Sequence, residues 1–391
     1  MVARLDTTPV SGELILDAVG GLAPVIAARA AEIESARRLP PDLLAELTAA
    51  GCFGMLRPRS HGGAGVDLAT SMRVYEELSR ADASVGWTVG IGAGNWLDLV
   101  GLPRSTFDAL FANGPGVKIA GAFNPAGVAV PAEGGYRVTG RWAFVSGSQH
   151  CEWIYGNCIE EGAAGDGHMP PLRMVVFRAG EVEIEDTWSV SGLCGTGSHD
   201  IVADDVFVPA ERTFPVLAAE PCLDEPLVRI PLPSPFALQM ASVALGIAQG
   251  ALDDILALAT DKVPLFAGAS LAANPLFQNQ LAEADARLRA ARALLYADAA
   301  TAWATALAGD AFTPEHRARI RAAGVWATDT AAAVVDTAYR AGGGSSLYRS
   351  SPLQRRLRDV HALTQHFLLK LDSLTTAGAV LAGQDVDTTF L

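Results

Sequence analysis

Four long apolar runs in the second half of the chain constrain its fold more than any other feature. They cover about residues 236–262, 275–307, 314–341 and 352–383, and the joins "AGAS", "GDAFTP" and "GGGSS" between them are punctuated by glycine, serine or proline. Each run is long enough to span a helical bundle, and its alanines and leucines supply the apolar face such a bundle buries. A four-helix bundle over 231–391 is therefore expected. With 391 residues, the chain is longer than one such core needs, so further structural layers must lie upstream.

The first 115 residues read as shorter helices. "PPDLLAELTAAG" opens on proline and stops at glycine, and "ATSMRVYEELSRAD" carries Met72, Tyr75 and Leu78 at helical spacing. Between them "PRSHGGAGVDL" is a glycine-broken loop, and after them "SVGWTVGIGAGNWLDLV" is apolar but small-residued, which suits a helix packed closely on a neighbour or a ligand. From about 116 to 230 the pattern changes to alternation. "GVAVPAEGGYRVTGRWAFVSG" reads as a hairpin, and "RMVVF", "EVEIEDTW" and "SHDIVADDVFVP" as further strands with no helix between them. The expected architecture is α+β: an N-terminal helical domain (1–115), a middle antiparallel β domain (116–230) and the C-terminal bundle (231–391).

Charge and motifs exclude several functions. The 29 basic and 43 acidic side chains give a net charge of -14, which repels phosphate backbones and argues against nucleic-acid binding. The five cysteines form no Cys-x-x-Cys pair, so a disulfide framework is not expected. The N-terminus carries acids where a signal peptide needs an apolar core, and no charge-free run of about 18 strongly apolar residues is read elsewhere, so a cytoplasmic protein outside the membrane is expected. The chain shows no Gly-x-Ser-x-Gly elbow, no phosphate loop and no dinucleotide-binding glycine fingerprint.

Three stretches are candidates for chemistry. In "RDVHALTQH" Asp359 and His366 are seven residues apart and share a helix face, whereas His361 lies on another; the five-residue spacing of the histidines rules out a metal pair, and no metal site is expected. Just upstream, the glycine-rich turn with Ser345, Ser346 and Arg349 is rich in donors for a cofactor ring or phosphate. In "GRWAFVSGSQHCEW", Trp142, Phe144 and Ser146 alternate along one side of a strand, as a wall for a planar ring with a hydroxyl at its edge. "DTWSVSGLCGTGSHD" adds Trp188, Thr196 and Ser198. His61, His150, His168 and His199 read as loop or surface histidines.

Over nearly its whole length, through "PRSHGGAGVDL", "YEELSRADASVGW", "YRVTGRWAFVSGSQHCEW", "DTWSVSGLCGTGSHDIVADDVFVP" and "GGGSSLYRSSPLQRRLRDVHALTQH", the chain resembles the acyl-CoA dehydrogenase fold. The dehydrogenases' glutamate base is absent both from "LPSPFALQMASVALG" and from "RDVHALTQHFLLKLDSLTTAG". The resemblance is instead to the flavin-dependent monooxygenase branch, the oxygenase components of two-component aromatic hydroxylases. It implies reduced FMN or FAD as cofactor, O2 as co-substrate, and one oxygen atom inserted through a flavin C4a-hydroperoxide into an aromatic or polycyclic molecule. It further implies a separate NAD(P)H:flavin reductase and a homotetramer. N-oxygenation of an amine, or a dehydrogenase-like flavin reaction, are its alternatives. By the same resemblance Ser146 meets the flavin near N5 and His366 its C4a and N5 edge, while Trp142, Phe144, Trp188, Thr196, Ser198 and Arg349 line the cofactor. Asp359 is the expected support for His366. Asn95, with Trp96, falls where phenol-hydroxylating members carry a second histidine, and Gly121 where they carry a small hydroxyl residue. Asn95 can hydrogen-bond a substrate but cannot act as a base.

Overall fold

The computed structural model describes residues 11–163, 171–216, 218–388 and 391. Six helices come first: α1 (Gly12–Ala28), α2 (Ala30–Ala36), α3 (Pro41–Ala49), α4 (Leu68–Ala81), α5 (Ala83–Gly94) and α6 (Arg104–Leu110). Side chains that prefer bonding the backbone locally set their starts. Asp67 accepts the Thr70 N–H at 2.8 Å to open α4, and Asp82 accepts the N–H groups of Ser84 and Val85 at 3.0 and 3.1 Å to open α5.

Strands β1 (Ile119–Ala132), β2 (Gly135–Trp142), β3 (Trp153–Glu160), β4 (Leu172–Arg178), β5 (Glu183–Glu185), β6 (Asp200–Pro209) and β7 (Thr213–Pro215) form one sheet in the order β5-β6-β2-β1-β3-β4-β7. The pairing is antiparallel throughout except for β1 with β3, which run parallel, so the purely antiparallel expectation is corrected there. The register of the 14-residue β1 on β3 shifts twice, between Ala122 and Gly127. Alternation divides the faces. Trp153, Tyr155, Met174 and Val176 join the helical core, while Ile154, Val175 and Phe177 join Trp142 in a core of the sheet's own.

The remaining helices are α7 (Pro226–Arg229), α8 (Pro233–Asp261), α9 (Pro275–Ala308), α10 (Pro314–Gly342), α11 (Pro352–Leu363) and α12 (Ser373–Leu381). Proline stands at the first turn of α8, α9, α10 and α11, where its missing N–H costs nothing. The stretch 233–252 of α8 carries no charge, contrary to the expectation of no such apolar run, and α8 is long and apolar enough to cross a membrane. Its side chains are nevertheless buried on every face from Ser234 to Ala248, among α4, α5, α10 and α11. That is the signature of a central core helix. Gly246 sets how close α4 comes, since a Cβ there would lie 2.2 Å from the Glu76 carbonyl oxygen.

The fourth apolar run is not one helix. It breaks after Leu363, and α12 starts only at Ser373. Side chains there take up backbone groups that helix would use: Thr364 Oγ1 donates to the His361 carbonyl (2.7 Å), and the Leu368 N–H reaches back to His366 Nδ1 (3.3 Å). Arg321 of α10 holds the Leu368 carbonyl at 3.0 Å. The break places His366 in a turn facing α5.

Candidate functional site

Two loops and one helix meet at a chain of hydroxyl groups. Ser146 follows β2, Thr196 and Ser198 precede β6, and Trp87 lies on α5; all four are buried. The two loops are zipped together by the Gly147 N–H to the Thr196 carbonyl (2.9 Å) and the Val145 N–H to the His199 carbonyl (3.1 Å). Within this frame the proton positions follow from chemistry. Thr196 Oγ1 donates to the Leu193 carbonyl (2.8 Å), which can only accept, so toward Ser198 (2.7 Å) Thr196 must itself accept. Ser198 then accepts from Ser146 at 2.7 Å. At the far end the Trp87 indole N–H, which can only donate, reaches Ser146 Oγ at 3.0 Å. Every proton thus points from Trp87 toward Leu193. Ser146 is left with one lone pair, and no proton, for whatever lies beside it.

His366 stands on the other side of Trp87, with ring centroids 5.4 Å apart and planes 66° apart. Its Nδ1 accepts the Leu368 N–H, so its own proton belongs on Nε2. Desolvation, with the Arg321 charge adding to it, pushes its pKa down to about 4, and the ring is neutral at physiological pH. A neutral imidazole that presents an N–H and a hydroxyl that presents a lone pair therefore flank one indole. Sequence reasoning missed Trp87. Its signal was a single large ring in the small-residued "SVGWTVG".

The structure corrects other expectations. Trp142, Phe144 and Ser146 do not alternate along a strand, because β2 ends at Trp142 and Phe144 has a left-handed backbone (φ 66°). Trp142 is fully buried in the sheet's own core, its indole N–H on the Asn157 carbonyl (2.8 Å), and so forms no wall beside Ser146. Phe144 is 71% exposed and meets Trp188 edge-on at 6.1 Å; the Trp188 indole N–H is held by the Leu193 carbonyl. Asp359 does not support His366, since the helical register ends between them. It accepts the Leu193 N–H at 2.7 Å instead, and burial, with Asp82 adding repulsion, pushes its pKa up to about 7. It thereby anchors the residue on which the hydroxyl chain ends.

Asn95 and Trp96 follow α5 and are buried, with Asn95 Nδ2 on the Ile119 carbonyl (3.0 Å). Gly121 lies against the Tyr155 ring, 2.4 Å from where a Cβ would be, and the Tyr155 hydroxyl donates to Asp98. Arg349 is exposed, and Ser346 is tied to the Tyr339 carbonyl (2.8 Å). Lys262 clips that turn through the Gly342 carbonyl and Ser345 Oγ. Two histidines read as loop or surface residues are buried: His61 pairs with Asp108 (2.8 Å), and His199 accepts the N–H groups of Thr187 and Trp188 (3.2 Å each). His150 is partly buried, and burial lowers its pKa to about 4. His168 lies outside the described residues.

The surroundings of Ser146 fit a flavin edge. Ser146 has its spare lone pair, the exposed Phe144 ring meets the half-buried Trp188 on the same loops, and two more buried hydroxyls, Thr88 Oγ1 and Ser148 Oγ, have no partner among the described residues. Thr88 approaches the Ser146 loop closely, its Cγ2 lying 3.4 Å from where a Cβ on Gly147 would be.

Comparison with known proteins defines the class. Residues 15–101 match the acyl-CoA dehydrogenase N-terminal domain and residues 238–371 its C-terminal domain. The chain has the acyl-CoA dehydrogenase fold. It is 35% identical to indole-3-acetate monooxygenase of Pseudomonas putida, over 91% of this chain and 90% of that one. It is 33% identical to the oxygenase component of the FADH2-dependent resorcinol hydroxylase of a Rhizobium species, over 92% and 91% of the two chains. XiaF from Streptomyces sp., solved in complex with FADH2 and glycerol, superposes with a TM-score of 0.88 at 28% identity, over 96% of each chain. The protein belongs to the reduced-flavin-dependent monooxygenases, as the oxygenase component of a two-component system, and so works with a separate reductase.

Proposed function

We propose that this chain inserts one atom of O2 into an aromatic or polycyclic small molecule, with reduced FMN or FAD handed over by an NAD(P)H:flavin reductase. The observation that carries the reading is the direction of the hydroxyl chain beside a neutral imidazole. Reduced flavin has an N–H at N5 and oxidised flavin a lone pair there, so a serine that can only accept is complementary to the reduced form. When bound, the flavin supplies the electrons that activate O2. The chain's own residues then have three tasks. Ser146 holds the N5 N–H. His366 Nε2–H would donate a hydrogen bond that orients the oxygen to be transferred, the ring staying neutral throughout. Trp87, buried between them, excludes water. We assign Asn95, Trp96 and Gly121 to the substrate side by the family resemblance, and Thr196 and Ser198 to a role through Ser146. We place the enzyme in the cytoplasm as a homotetramer, supported by exposed apolar side chains, among them Leu265, Phe266, Leu347, Tyr348, Phe367 and Leu371, which a second copy would cover.

The test is turnover under isotopically labelled O2, with reduced flavin and the substrates named for its relatives, indole-3-acetate and resorcinol, as first probes. One labelled atom per product molecule is expected, with H366A consuming O2 to peroxide at the expense of product. Substrate-driven bleaching of bound flavin without O2, and no label in product, would overturn the reading.

A further inference from the structure

The most exceptional polar group in the helical core is Gln239. It lies on α8, 3% exposed, and neither Nε2 nor Oε1 of its amide has a partner among the described residues. Burying both ends of an amide unpaired costs several kcal/mol by transfer measures and is rare in folded proteins unless a ligand or water completes it. The side chain approaches α5 at a position where a glycine admits it. A Cβ on Gly94 of α5 would lie 3.4 Å from Gln239 Oε1 and 3.1 Å from the Phe236 ring. Two residues beyond Gly94, the Trp96 indole N–H is likewise buried and unpartnered.

Position along α5 connects this amide to the hydroxyl chain. Trp87 and Gly94 are seven residues apart and so lie on one stripe of the helix, separated by roughly 10 Å at 1.5 Å per residue. That is about the length of a two-ring aromatic molecule with a short substituent. We infer that Gln239 is the specificity-determining residue of the substrate site, and that it reads a neutral substituent offering both a hydrogen-bond donor and an acceptor, such as a carboxamide, at the end of the substrate away from the reacting carbon. The assignment rests on the aromatic-substrate reading above.

The donor and acceptor requirement follows from the amide. Nε2 needs an acceptor and Oε1 needs a donor. A carboxylate satisfies Nε2 alone and sets its second oxygen against Oε1, lone pair to lone pair, in a buried place. An alkyl group satisfies neither. A carboxamide or a hydroxyl satisfies both.

The experiment uses the full chain and three probes that differ in one group: indole-3-acetamide, indole-3-acetate and 3-methylindole. Binding is followed by tryptophan fluorescence and by the shift in melting temperature. The wild-type protein is expected to bind the acetamide at least about tenfold more tightly than either of the others, as a site built around a hydrogen bond rejects analogues that lack it. Gln239→Leu should bring the three affinities to within about threefold of one another, weakening the acetamide and relieving the unpaired amide that 3-methylindole otherwise leaves. Gln239→Met is the second variant should leucine disturb packing. A wild type that does not prefer the acetamide, or a preference that survives both substitutions, overturns the inference. Labelled-oxygen turnover on the same probes keeps the two readings apart. Label in product with no role for Gln239 removes only this inference, whereas no label from any aromatic probe removes the reading beneath it.

Discussion

Thr196→Val tests the direction of the hydroxyl chain, because valine keeps the shape of threonine and removes the group that fixes every proton upstream. In the native protein Thr196 donates to Leu193 and accepts from Ser198, which accepts from Ser146. Without Thr196 Oγ1, Ser198 loses its acceptor and turns its proton back onto Ser146. Ser146 can then donate outward, toward the N5 lone pair of oxidised flavin. The native arrangement favours reduced flavin by one hydrogen bond made in one redox state and refused in the other. A neutral hydrogen bond is worth about 1 kcal/mol net and an unmade buried one about 1–3 kcal/mol. The substitution should therefore lower the ratio of reduced to oxidised affinity by about 5- to 30-fold, that is, by about 1–2 kcal/mol. For a two-electron couple this is a drop of about 20–45 mV in the potential of bound flavin. Anaerobic ultrafiltration with photoreduced and with oxidised flavin gives the two affinities, and dye equilibration gives the potential. A ratio unchanged within about twofold would refute the argument, as would a native protein that binds oxidised flavin more tightly.

His366 gives the fold an acid-side weakness. Its folded pKa of about 4 lies below the unfolded value of about 6.5, so between these values the unfolded chain binds the extra proton and stability falls as pH falls. Because the ring is partly open to solvent, we expect H366Q to lose about 1–3 kcal/mol less than the native protein between pH 7 and pH 4 in urea unfolding; parallel profiles would contradict the burial argument. Trp142→Phe should cost about 1–3 kcal/mol of stability by leaving a cavity in the sheet core, yet leave flavin affinity unaltered, and a loss of flavin binding without a loss of stability would return Trp142 to the cofactor site. Gly246→Ala should destabilise the fold by about 2 kcal/mol or more and lower the melting temperature accordingly, since a methyl group there would lie 2.2 Å from a carbonyl oxygen of α4; a melt unchanged by circular dichroism would refute the close approach.

Much of this protein was legible from local sequence alone. Apolar periodicity marked α4, α8, α9 and α10, and alternation marked most of the sheet, because a helix face or a strand face is written within a dozen residues. Ser146, Thr196, Ser198 and His366 could be singled out as polar groups in apolar or glycine-rich company. Other features depended on partners distant in the chain. The break that carries His366 rests on Thr364 bonding back into its own turn and on Arg321 of α10 holding Leu368, and an unbroken Leu stripe hides both. Trp142 and Phe144 looked equivalent until a left-handed residue turned one ring to solvent and left the other in the sheet. Asp359 was in register with His366 on paper, but its carboxylate is taken up by the Leu193 N–H from the loop before β6. Trp87 and Gln239 gave almost no signal, one a lone ring among glycines and the other a lone amide in a core helix. What sequence determined was which faces are apolar, since that is a property of neighbouring residues; tertiary structure alone decided which polar atoms find partners, since a hydrogen bond is made between groups that only folding brings within 3 Å or so.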